Sequence, residues 1–191
     1  MDTFSANSLK ILQISKAEFE KKFIDKIELI EENKDAILGN KFHSLICYYL
    51  KNYNIKKFEN SLLNEEKELF LKIKNSKIMA IAKNTSEKYI EQPFFIKEFL
   101  NNKPFFLTGR FDAILKMEDK YIILDWKTKN LPKDVNNDIQ TIVYLHCASK
   151  LFNTKNIEMI YYSLYNDEEK NVKYNENGIF EIKKIISKIY N

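Results

Sequence analysis

The sequence predicts an α/β fold in which a helical N-terminal half folds over a mixed sheet. Three observations carry that reading. Apolar residues recur at three- and four-residue steps through roughly the first eighty residues. From Tyr89 onward, runs rich in Ile, Phe, Leu and Tyr are separated by turn residues, which is the strand signature. Helical spacing then returns once within this region and once at its end. The expected organisation is one domain over 1–191, mostly helical over 1–84 and sheet-containing over 85–191.

From Ser5 to Asn33 the residues Leu9, Leu12, Phe19, Phe23, Ile27 and Ile30 define one face of an amphipathic helix, with a break expected near Ser15. Ser5 and Ser15 both carry the short hydroxyl side chain that an N-cap needs. A second helix is expected over Lys41–Asn52, led in by Gly39 and Asn40, and a third over Asn64–Lys83. Strands are expected over Tyr89–Leu100, Phe105–Met117 and Tyr121–Thr128. Asp134–Leu151 reads as helix, Ile157–Tyr165 and Asn171–Tyr174 as strands, and Ile179–Tyr190 as a closing helix. Phe94, Phe95, Phe105 and Phe106 are assigned to the core, and any exposed ring among them could stack on unpaired bases.

Composition narrows the function only modestly. A net charge of +4 from 31 basic and 27 acidic residues is the charge of an ordinary solvated surface and gives nucleic acid a small lift. No apolar run approaches the ~18 residues of a membrane span, so no membrane partner is expected. Cys47 and Cys147 lie far apart in apolar stretches, like small buried thiols in a reducing cytoplasm, and no secretory leader is apparent. Of the 31 basic residues only Arg110 is Arg, and the chain has 3 Gly and 1 Trp. Two of those glycines, the Arg and the Trp fall within Gly39–His43 or Gly109–Lys127.

The chemistry concentrates in the second of these stretches. A hairpin centred on Glu118 and Asp119 sets Asp112 opposite Asp125. Like charges facing each other in apolar strands destabilise a sheet, and a divalent cation between them reverses that sign. Strand alternation then puts Lys127 on the face of Asp125 and Trp126 on the other. Two carboxylates with a cation and a nearby ammonium are suited to hydrolysing a phosphodiester. A one-residue slip would separate the two Asp side chains, and a surface hairpin with solvated charges is the alternative reading.

In order along the chain, Phe4-Ser5-Ala6-Asn7-Ser8-Leu9, Gly39-Asn40-Lys41-Phe42-His43, Glu91-Gln92-Pro93-Phe94, Gly109-Arg110-Phe111-Asp112, Asp125-Trp126-Lys127-Thr128 and Gln140-Thr141-Ile142-Val143-Tyr144 resemble the motifs of the RecB-like exonuclease branch of the PD-(D/E)xK nuclease superfamily. The resemblance implies a restriction-endonuclease-like core, a mixed central sheet flanked by helices, and a Mg²⁺- or Mn²⁺-dependent deoxyribonuclease. It implies Asp112, Asp125, His43 and the main-chain carbonyl of Trp126 as metal ligands, with Lys127 activating the attacking water. Glu91 follows as a further catalytic candidate near Lys127 or that water, and Gln140 and Tyr144 as substrate-side residues on one helix face. Imidazole suits Mn²⁺ better than Mg²⁺, so manganese is expected to be preferred in vitro.

Arg110 is expected on the opposite face from Asp112, pairing with an acid or a phosphate beside the site, and Thr128 near the DNA path. His146 is read as structural. Some relatives hold an iron–sulfur cluster on four Cys; with two Cys at other positions, none is expected here. Phe111 stands where the superfamily name has Pro. The expected partner is DNA with ends or single-stranded regions, together with a helicase or recombination protein, since the chain has no P-loop of its own. The setting is repair, recombination or phage DNA processing. The alternative is a catalytically inactive DNA-binding or assembly subunit that keeps the fold.

Overall fold

Six strands form one mixed sheet in the computed structural model, which describes residues 2–27, 34–128 and 130–190. In chain order they are β1 (Thr3–Phe4), β2 (Lys88–Leu100), β3 (Lys103–Lys116), β4 (Tyr121–Lys127), β5 (Ile157–Ser163) and β6 (Glu168–Lys173). The helices are α1 (Ala6–Ile14), α2 (Lys16–Phe19, continued by a π-helical turn over Glu20–Ile24), α3 (Lys34–Leu50), α4 (Lys56–Ser61), α5 (Asn64–Asn75), α6 (Lys77–Asn84), α7 (Ile139–Phe152) and α8 (Gly178–Tyr190).

Helices cover both faces of the sheet. On one side Leu9 and Leu12 of α1, Phe19 of α2, Val143 and Leu145 of α7 and Ile182 of α8 pack with Leu107, Ile114 and Ile123 of the strands. On the other, Phe42 and Ile46 of α3, Phe70 of α5 and Met79 of α6 pack with Ala113, Leu115, Leu124 and Trp126. The restriction-endonuclease-like architecture, a mixed sheet between helices, is therefore the one observed.

The long strand β3 organises the sheet. It pairs antiparallel with β2 along one edge. Along the other it pairs parallel with β1 at Phe106 and Leu107, and antiparallel with β4 from Ala113 to Lys116. Between those two pairings the sheet forks, and residues 108–111 of β3 pair with β2 alone. In the β3–β4 hairpin Ala113 opposes Leu124 and Lys116 opposes Tyr121, and Met117 N donates to Lys120 O at 2.8 Å across Glu118 and Asp119. This is the expected register. β4 runs parallel to β5 through α7, and β5 returns antiparallel as β6.

Several boundaries differ from expectation, each for a local reason. Ser15 does break the first helix: its backbone N–H ends α1 on Ile11 O, and its hydroxyl caps α2 on Glu18 N. Residues 25–27 are not helical, and the 28–33 part of that expectation, Ile30 included, lies outside the described residues. α3 begins at Lys34, so Gly39 and Asn40 lie within it; a helix-interior Gly costs about 1 kcal/mol, which the burial of Phe42, Leu45 and Ile46 outweighs. Ser76 divides the third helix by capping Met79 N. Asp134 does not open α7; it accepts from Asn136 N and Asn137 N in a tight turn, and Asp138 is the cap instead. Phe94 and Phe105 are core, but Phe95 is 62% exposed and stacks on half-buried Phe106 outside it, because alternation turns these two outward. Cys47 is half-buried rather than buried, whereas Cys147 is fully enclosed.

Candidate active site

Continuing the β3–β4 register one step past Ala113–Leu124 sets Asp112 opposite Asp125. Trp126 N donates to Asp112 Oδ2 at 3.4 Å. The α3 helix, packed on the sheet through Phe42 and Ile46, brings His43 onto the same point. Its Nδ1 lies 3.2 Å from Asp112 Oδ1 and its Nε2 donates to Trp126 O at 2.7 Å. A neutral imidazole donates from one nitrogen only, and His43 meets an acceptor at each. Burial opposes its protonation, yet the bond to Asp112 and the charges of Asp112 and Asp125 outweigh burial and hold the ring above its ordinary range.

Asp125 is 2% exposed. Its Oδ1 accepts from Gln140 Nε2 at 2.7 Å. Its buried Oδ2 makes an ion-pair contact of 2.7 Å with Lys127 Nζ, without hydrogen-bond alignment. Burial raises the Asp125 carboxyl to about 6, with Asp112 adding and Lys127 opposing. Burial works against a charged Lys127 too, but the Asp125 carboxylate prevails and raises it, so the pair is ionised at neutral pH. Lys127 Nζ also donates to Gln140 Oε1 at 3.0 Å, so one amide bridges both members of the pair. Trp126 points into the opposite core, as alternation requires.

Beside Asp112 the sheet does something that alternation alone does not anticipate. Phe105, Leu107 and Phe111 of β3 lie in the same core as Ile114, while Ala113 and Leu115 lie in the other. Across from it, Phe94 and Ile96 share a core with Tyr89, whereas Ile90 packs on the opposite one. Both strands therefore exchange faces at one level, where Glu91 stands across from Asp112. Glu91 has φ 59°, a left-handed conformation that costs a non-glycine residue about 1 kcal/mol or more. Strict alternation would put Arg110 and Asp112 on one face, not on opposite ones, and His43 both touches Asp112 and shares a cavity with Arg110.

Glu91 accordingly turns from Lys127 and meets Arg110, its Oε2 2.6 Å from Arg110 Nη1, so Arg110 pairs with an acid. Tyr144, one turn beyond Gln140, donates its hydroxyl to Arg110 O at 3.0 Å in the forked stretch, and its ring packs on Phe94 and Phe111. A Cβ on Gly109 would lie 2.6 Å from the Phe94 ring. Thr128 follows β4 and faces α3, its Oγ1 3.8 Å from where a Cβ on Gly39 would stand. His146 is buried and bonded to Glu98 Oε1 at 2.9 Å, away from these groups. Asp138, Lys10 and Tyr161 also belong to the surroundings. Asp138 caps Gln140 N and pairs with Lys10 at 3.3 Å, and Tyr161 lies under Lys127 at 5.6 Å. An Asp two residues before Gln140 at a helix start is a legible cap; the other two have no local signal.

A model of the PD-(D/E)XK nuclease superfamily matches residues 3–189, spanning every group just described. The chain belongs to that superfamily. It is thereby placed among nucleases that use divalent metals. Of 27 solved chains that match the fold, one described as "Crystal structure of SSO0001" has a TM-score of 0.56 and 14% identity, covering 99% of this chain and 75% of that one. At that identity the likeness concerns the fold. No curated protein sequence matches.

The donor set suits a hard divalent cation. Two carboxylates and a main-chain carbonyl offer the oxygen donors such a cation would take, and Asp125 Oδ2 is a buried acceptor with no hydrogen bond. Among the described residues no three His, Cys, Asp or Glu side chains form a ready cage. Here the imidazole is engaged with Trp126 O and Asp112, and the ammonium with Asp125. Among the described residues no helix is long and apolar enough to cross a membrane.

Proposed function

We propose that residues 1–191 form one metal-dependent deoxyribonuclease of the RecB-like branch, an exonuclease acting in the cytoplasm in repair, recombination or phage DNA processing. The observation that carries the reading is the pairing of Asp112 with Asp125 at a sheet fork, with Lys127 beside the second. Fold stability gives no reason to bury that pair.

Asp112, Asp125, Trp126 O and His43 would hold Mg²⁺ or Mn²⁺, and a bound cation supplies Lewis acidity to water and neutralises phosphate charge. Lys127, fixed by Gln140 and Asp125, faces the phosphate and stabilises the charge gathering on its oxygens as water adds to phosphorus and the bond to the departing oxygen breaks. Gln140 orients both Asp125 and Lys127. Tyr144 holds the β3 backbone, and Arg110, Glu91 and Thr128 line the approach. Strand separation would come from a helicase or recombination partner.

The test is digestion of linear and circular, single- and double-stranded DNA with Mg²⁺, Mn²⁺ or EDTA, using wild type, Asp112→Ala and Lys127→Ala. Cleavage that needs metal, is stronger with Mn²⁺ and is lost in both variants supports the reading. No metal-dependent cleavage of any substrate, or cleavage unchanged from wild type in both variants, overturns it, and the first outcome favours the inactive assembly subunit.

A further inference from the structure

A polar cavity of about 620 Å³ opens from the site between α3 and the fork. One stripe of α3 lines it from Asn40 through His43 to Tyr48 and Lys51, and the ion-paired Glu91 and Arg110 form the opposite wall. The helix then ends in a group of uncovered rings. Tyr48, Tyr53 and Phe58 are 38%, 60% and 50% exposed. Tyr48 stacks on Phe58 with centroids 5.5 Å apart and meets Tyr53 at 5.7 Å. Lys51, Lys56 and Lys57 flank them, none with a carboxylate partner among the described residues.

We infer that this cavity and the Tyr48–Tyr53–Phe58 shelf are a binding track for an unpaired DNA strand, with bases stacking on the rings and phosphates meeting the lysines. The inference rests on the nuclease reading and gives the expected strand a place on the molecule, at named rings and lysines outside the catalytic group. Sequence-tolerant single-strand sites combine a basic groove with aromatic faces, and both are present here in continuity with the site. A duplex has its base faces covered by neighbouring pairs, so a shelf of rings selects strands already open. The five residues from His43 to Tyr48 span about 7.5 Å along the helix axis. That short distance sets the shelf just upstream or downstream of the bond cut.

The experiment is anisotropy of a fluorescein-labelled oligothymidylate of about 15 nucleotides, and of a duplex of equal length, with the full chain in EDTA. Tyr48→Ala and Phe58→Ala are expected to weaken single-strand binding about tenfold each while duplex binding stays unchanged. Tyr48→Phe is expected to retain it. The highly exposed Tyr53→Ala serves as a variant safe for folding and is expected to lose affinity in the same direction. Photocrosslinking with 5-iododeoxyuridine in the strand is expected to label Tyr48, Tyr53 or Phe58. Unchanged single-strand affinity in variants that melt like wild type, labelling confined to other residues, or wild type binding no single strand would overturn the shelf; the last outcome would leave it to a protein partner. Failure of the nuclease reading shows separately, as absence of metal-dependent cleavage by wild type.

Discussion

Lys127→Met in EDTA isolates the energetics of the central pair. Asp125 is 2% exposed, and Lys127 Nζ lies 2.7 Å from its Oδ2. Removing one partner of a buried pair costs about 3–5 kcal/mol; the Lys127 side chain is 28% exposed, which sets the expectation at the lower end, about 3 kcal/mol. For a chain of this size that is a fall in Tm of about 6–12 °C. The sign with pH follows from Asp125, whose folded-state pKa already lies above that of the unfolded chain and rises further without the ammonium. The folded protein then binds the extra proton, so stability falls as pH rises through that range. The Tm deficit of the variant should be full near about pH 8 and shrink toward about pH 5. Adding Asp125→Asn removes the stranded charge while its Oδ1 still accepts from Gln140, and most of the loss should return. Calorimetry of the four proteins completes the double-mutant cycle. A single variant that melts like wild type at about pH 8, or a deficit indifferent to pH, would refute the argument.

Three further substitutions have outcomes fixed by their surroundings. Gly109→Ala would place a methyl 2.6 Å from Phe94, which is held between Phe111 and Tyr144; a loss of about 1–3 kcal/mol in denaturant melts is expected. Gly39→Ala meets nothing nearer than Thr128 Oγ1 at 3.8 Å and should raise stability by up to about 1 kcal/mol in the same measurement. Gln140→Ala unties Asp125 and Lys127 together, and steady-state cleavage should drop about 10- to 100-fold, with a loss of about 1–3 kcal/mol in the thermal melt as buried Asp125 Oδ1 loses its hydrogen bond.

What could be read from the sequence was what side chains announce. The apolar runs bracketing Glu118 and Asp119 left one compact turn, and with it the register that opposes Asp112 to Asp125. What could not be read were backbone events and long-range pairings. β1 has two residues and exists only because β3 offers it an edge about a hundred residues away. The exchange of faces at Glu91 and Asp112 falls on residues with no glycine to mark it, so Glu91 gave no sign that it would turn toward Arg110. Gly39 misled in the other direction, since a glycine that looked like a helix boundary is helix interior. The convergence of His43 on Trp126 O depended on how α3 docks, which the family resemblance conveyed and helical periodicity did not.

The paired exchange of faces also acts as a key for assembly. An ordinary ladder as long as that between β2 and β3 can slide by two residues and still alternate correctly. Here a slide would set the exchange on one strand against regular backbone on the other, turning apolar side chains outward over part of the ladder. Only one alignment lets both strands turn over together, and Asp112 stands at that level. A misaligned β2 would leave the carboxylate pair intact, since the β3–β4 hairpin sets it, but would carry Glu91 away from Arg110 and undo that contact beside the site.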